Sequence, residues 1–115
     1  MKKEHQEKKH FLISTMLSST QKYWAHVYLM CDAQFDTQRA VNKMFELLED
    51  KGVTPFMPMV LVTGLSIATA GRVRELALAN GTPDQVQNLD KAKELAFCLW
   101  IVGDDATNTE LEMIH

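Results

Sequence analysis

The run Gly52–Gly71, GVTPFMPMVLVTGLSIATAG, is the longest uncharged stretch of this 115-residue chain, closed by Lys51 on one side and by Arg72 and Arg74 on the other. Three structures compete for it. As a helix it starts with Thr54 as N-cap and Pro55 at the first helical position, where a missing N–H costs nothing. Pro58 then falls near the first turn, where it is tolerated. A helix apolar on all sides is a buried one, and Gly64, Ser66, Ala68, Ala70 and Gly71 would let neighbouring helices approach closely. As a strand, Met59–Thr63 is favoured by the β-branched Val60, Val62 and Thr63. As a membrane span it has the nominal length, against which stand its prolines, glycines and hydroxyl residues. The buried helix is the preferred reading.

Outward from this centre, the flanks also read as helical. From His10 onward, Ile13, Met16, Thr20, Trp24, Val27 and Cys31 fall on one stripe at spacings of three and four. Ser18 and Gln21 have capping-box spacing, which allows a break near Ser18. Asp36 or Thr37 caps a helix that runs to about Lys51. Its buried face is Val41, Met44, Phe45 and Leu48, and Gly52 is its C′ glycine. The central helix continues past Gly71 through Val73, Leu76 and Ala77 to Asn80-Gly81. Thr82-Pro83-Asp84-Gln85 then opens a further helix with Val86, Leu89, Ala92, Lys93, Ala96 and Leu99 or Trp100 facing inward. Gly103 and Asp104-Asp105 end it, and Thr107 or Thr109 caps a short last helix ending at Met113. The expected architecture is all-α: an antiparallel bundle of four main helices with a short C-terminal fifth. Residues 1–9 form a charged, flexible N-terminus and residues 10–115 a single helical domain.

Composition limits the function classes. The apolar fraction of 46% is that of a globular chain, and a net charge of −3 gives no general affinity for nucleic acid or anionic membrane. Cys31 and Cys98, both in apolar surroundings, read as core residues in a reducing compartment. The apolar run Phe11–Leu17 is minimal for a signal peptide and follows Glu4 and Glu7, so a cytoplasmic location is expected.

Neither metal nor cofactor is expected. Among His5, His10, His26 and His115 no metal-ligand spacing occurs. Cys31 and His26 are five apart and point away from each other on a helix. Asp104 and Asp105 follow a helix end and read as a solvated stop, not as an acid–base pair. The glycines are wrongly spaced for a phosphate loop. An enzyme is therefore not expected.

Two functions are left. Segments around Tyr23–Cys31, Phe56–Ala70 and Leu95–Val102 look apolar on every side, more than one small bundle can enclose. That surplus, together with seven methionines, points to a non-catalytic interaction or regulatory protein of the adaptor, inhibitor or antidote type. It would act through apolar helix faces and form a homo-oligomer, with Tyr23, Trp24, Tyr28, Met57 and Trp100 at the interface. The alternative is a DNA-binding regulator with a degenerate helix-turn-helix over residues 75–93, using Arg72, Arg74, Lys91 and Lys93. Gln87 occupies its expected apolar position, which weakens the match.

Overall fold

A computed structural model of the chain describes residues 8–18, 20–56, 60–81 and 95–103. It opens with a β-hairpin. Strand β1 (Lys8–Ser18) and strand β2 (Tyr23–Asp32) run antiparallel, with Ile13 opposite Val27 and Ser14 opposite His26. The break near Ser18 is real, but it is a turn between strands. Ser18 Oγ accepts from the Gln21 N–H at 3.3 Å, and the Lys22 N–H donates to the Ser18 carbonyl at 3.0 Å. Lys22 takes the left-handed conformation that closes the turn, with φ 55°.

Helix α1 (Thr37–Asp50) forms as the sequence predicts. Asp36 Oδ1 accepts from the Arg39 N–H at 2.8 Å, which satisfies one of the first-turn donors. At the other end Gly52 has φ 71°. Its N–H donates to Glu49 and that of Val53 to Leu48, the paired bonds by which a left-handed glycine closes a helix. Ala40, Met44 and Leu48 are the buried stripe, while Phe45 is exposed.

The decisive stretch is not one helix. After α1 the chain returns alongside β1, with the Phe56 N–H donating to the Met16 carbonyl at 2.8 Å. It then forms strand β3 (Val60–Leu65), antiparallel to β1 with Ser14 opposite Leu61 and Ile13 opposite Val62. Ser66 ends the strand and caps helix α2 (Ile67–Asn80), its Oγ accepting from the Thr69 N–H at 3.2 Å. The expected end at Asn80-Gly81 holds. No described helix is long and apolar enough to cross a membrane.

Strand β4 (Leu95–Gly103) lies antiparallel to β2, pairing His26 with Trp100 and Val27 with Leu99. The sheet order is β3-β1-β2-β4. Side chains alternate between its two faces, and each face carries one helix. Phe11, Ile13, Val27, Leu29, Cys31 and Leu99 pack with Ala40, Met44 and Leu48 of α1. Leu12, Tyr28, Cys98 and Trp100 pack with Ala70, Val73 and Ala77 of α2. The small inner residues of α2 let its backbone sit close to the sheet: Cys98 Sγ lies 4.0 Å from the Ala77 carbonyl.

The all-α bundle is therefore overturned in favour of an α/β arrangement, an antiparallel sheet between two helices. Strands buried on both faces read as near-continuous apolar runs without period-two alternation, and such runs contain an i, i+3, i+4 stripe by chance. That is why 10–31 and 95–102 imitate helices. Lys8 and Lys9 belong to β1 and not to a flexible tail. The proposed helix start at Thr82-Pro83-Asp84-Gln85, the short fifth helix, and residues 1–7 lie outside the described residues.

Candidate functional site

Strand β4 is the sheet's longer edge. It has nine residues without a charge or a proline, and among the described residues only β2 pairs with it. Antiparallel pairing uses the N–H and C=O of alternate residues on each side, so the outer side of β4 carries a row of backbone donors and acceptors that no described residue pairs with. Soluble proteins usually blunt such edges with lysine, proline or a bulge, and β4 has no lysine or proline. Ile101, on the α1-facing side, is 37% exposed, and Phe97 on the same side is half-buried. The other edge, β3, has six residues and includes Gly64. At the end of β4, Gly103 lies under the ring of Tyr23: a β-carbon there would stand 2.7 Å from Tyr23 Cε1.

Inward from this edge lies a buried polar row on the α2-facing side. His26 is fully buried between Trp24 and Trp100, with ring centroids 6.4 and 5.2 Å away. Its Nδ1 is hydrogen-bonded to Ser14 Oγ at 2.8 Å, and its Nε2 has no hydrogen-bond partner among the described residues. Burial lowers the His26 pKa from 6.5 to about 4, so the ring is neutral at pH 7. The Ser14 bond contributes about 1 kcal/mol net, whereas a buried orphan nitrogen costs roughly 1–3 kcal/mol. Ring contact with the two indoles, stacked on Trp24 and tilted by 34° against Trp100, offsets this at about 0.5–1.5 kcal/mol per ring pair. A hydroxyl bonded to an imidazole is the raw material of a nucleophile and its base; here both groups are buried. Further along the face, Tyr28 Oη and His10 Nδ1 are hydrogen-bonded at 3.0 Å, and burial lowers the pKa of His10.

The residues singled out from sequence scatter over this geometry. Tyr28 and Trp100 lie under α2 in the core, Trp24 is half-buried against His26, and Tyr23 is exposed at the end of β2. Met57 lies outside the described residues. The structure brings Trp24 and Trp100 together around His26. Arg72 and Arg74 are exposed on α2, and Arg72 faces Glu75 at 3.7 Å, which halves the positive charge on offer there. Lys91 and Lys93, with the second half of the proposed helix-turn-helix, lie outside the described residues. Cys31 and His26 point to opposite sheet faces. Both cysteines are buried free thiols whose pKa burial raises to about 11. Among the described residues no group of three or more His, Cys, Asp or Glu side chains could hold a metal ion.

Sequence reasoning missed the Ser14–His26 pair and the β4 edge. The first requires the hairpin register. The second had a signal in the uncharged run LAFCLWIVG bounded by Gly103, which also suits a strand. Compared with known proteins, the chain matches no protein family, no curated protein and no solved structure.

Proposed function

We propose that this chain is a non-catalytic protein–protein interaction protein of the regulatory type, which takes an extended segment of its partner as an added strand on β4. The observation that supports this is the uncharged nine-residue edge with an exposed Ile101. Strand addition draws affinity from main-chain hydrogen bonds and specificity from alternate side chains. The support has moved from the apolar helix faces expected at first. Segments Tyr23–Cys31 and Leu95–Val102 are strands, and a sheet covered on both faces accommodates their all-round apolar character inside one fold. What is left over, among the described residues, is an edge.

The test is capture of partners from untreated and nuclease-treated lysate on immobilised chain, comparing wild type with Ile101→Lys and Leu78→Lys. Leu78 is a similarly exposed apolar residue on α2. A bound protein lost with Ile101→Lys and kept with Leu78→Lys is the expected result. Equal binding by all three would overturn the edge as the contact surface. A partner that vanishes with nuclease would instead favour nucleic-acid binding through Arg72, Arg74, Lys91 and Lys93.

A further inference from the structure

We infer that the strand added to β4 is the β4 of a second copy, joined antiparallel about a twofold axis at Leu99 into a continuous eight-stranded sheet. This rests on the edge-strand reading above and names its partner.

Three observations point to self-pairing. First, β4 carries no charge from Leu95 to Gly103, so an antiparallel copy brings no like charges opposite each other, which would otherwise oppose a twofold contact. Second, an axis at Leu99 sets Ile101 of each copy directly opposite Phe97 of the other, on the same sheet face. Ile101 is the exposed apolar side chain of the described part of β4 and Phe97 is half-buried, so the one register covers both, twice. Cross-strand pairs of an aromatic with a β-branched residue are among the favourable ones in sheets. Third, the sequences flanking β4 carry charge where β4 carries none. Residues 82–94 contain Pro83, Asp84, Asp90 and Glu94, and residues 104–115 contain Asp104, Asp105, Glu110 and Glu112. Asp, Pro and Glu are depleted in strands, whereas Phe, Trp, Ile and Val are enriched. A second β4 therefore offers the edge an uncharged, strand-favouring partner. A twofold, self-complementary contact is also the commonest way for identical chains to assemble.

The experiment is sedimentation equilibrium of the purified full chain together with cysteine cross-linking. Wild type is expected at twice the chain mass of 13.1 kDa, and Ile101→Lys at the chain mass with an unchanged far-ultraviolet spectrum. Directly opposed residues have β-carbons about 4.5–5.5 Å apart. Oxidation of Phe97→Cys/Ile101→Cys should therefore yield a covalent dimer, and Ile101→Cys alone should not. The cross-link decides the matter even where the lysine variant fails to fold. Efficient dimerisation of Ile101→Cys alone would place the axis elsewhere and overturn the Leu99 register. A dimer that survives Ile101→Lys would overturn the β4 contact. A wild-type chain that stays at 13.1 kDa while still losing a captured protein with Ile101→Lys would overturn self-pairing and leave the edge-strand function standing. A monomer that captures nothing through β4 would remove both.

Discussion

Lowering the pH should destabilise the fold through His26, by an amount that the structure sets. The imidazole is fully buried between two indoles, and burial holds its pKa near 4 against an ordinary 6.5. Its folded value is depressed, so the unfolded chain binds this proton first as the pH falls. Stability is intact above about pH 6.5, declines through the window from 6.5 to 4, and the loss levels off below. Each unit of separation is worth about 1.4 kcal/mol, so the loss from this group is about 2 kcal/mol at pH 5 and about 3 kcal/mol at pH 4. The assay is urea unfolding at a series of pH values for wild type and His26→Leu. The leucine variant keeps most of the apolar volume, discards Nε2, to which no described residue is hydrogen-bonded, and leaves Ser14 Oγ to be re-satisfied. Its absolute stability is secondary; the measured quantity is the difference in pH dependence between the two proteins, from which other titrating groups, His10 included, largely cancel. A difference curve flat from pH 7 to 4.5 would refute a neutral, desolvated imidazole at this position.

Three further expectations follow from the same structure. Asp36→Ala removes the side-chain acceptor for the Arg39 N–H and should cost about 1 kcal/mol in denaturant unfolding; no loss would mean that water replaces the cap fully. Met44→Ala empties a fully buried site between α1 and the sheet and should cost about 2–5 kcal/mol, measured the same way, with less than 1 kcal/mol contradicting its central place in that layer. Cys31 and Cys98, buried with thiol pKa values near 11, should react with a thiol reagent at pH 8 only as the chain opens, and at once in concentrated urea; rapid labelling of the native protein would contradict their burial.

How much of this was legible in the sequence depends on how many faces of an element are covered. Helix α1 has one buried face, so Asp36, Met44, Leu48 and Gly52 announced its start, stripe and end. The end of α2 at Asn80-Gly81 was equally plain. Its start was not, because Ser66 lies inside an uncharged run that hides the change from period two to period 3.6; the cap donated by Thr69 three residues on was the available signal. Val60, Val62 and Thr63 did carry the β-branched mark of β3, outweighed by the length of the run around them. Strands β1, β2 and β4 are covered above and below, which erases alternation and with it the usual evidence for a strand. The site was less legible still. Trp24 and Trp100 stood out by residue type, but their joint contact with His26, and the bond from His26 to Ser14, follow from strand register. An apolar surplus that suggested an interface is largely the second covered face of the sheet.

The strand order has a consequence for the path of folding. Strands β1 and β2 are neighbours in sequence and occupy the centre of the sheet, while β3 and β4 arrive later in the chain and add to opposite sides. Closing the hairpin costs little chain entropy. Joining β4 to β2 spans more than half of the 115 residues and becomes favourable only once α1 and the hairpin have formed a platform. The topology therefore predicts that the sheet grows outward from its middle. Until β4 docks, the edge of β2 from Tyr23 to Cys31 stands open, an uncharged run like β4 itself. The stage at which this chain is most prone to misassociate is thus the step just before its last strand settles.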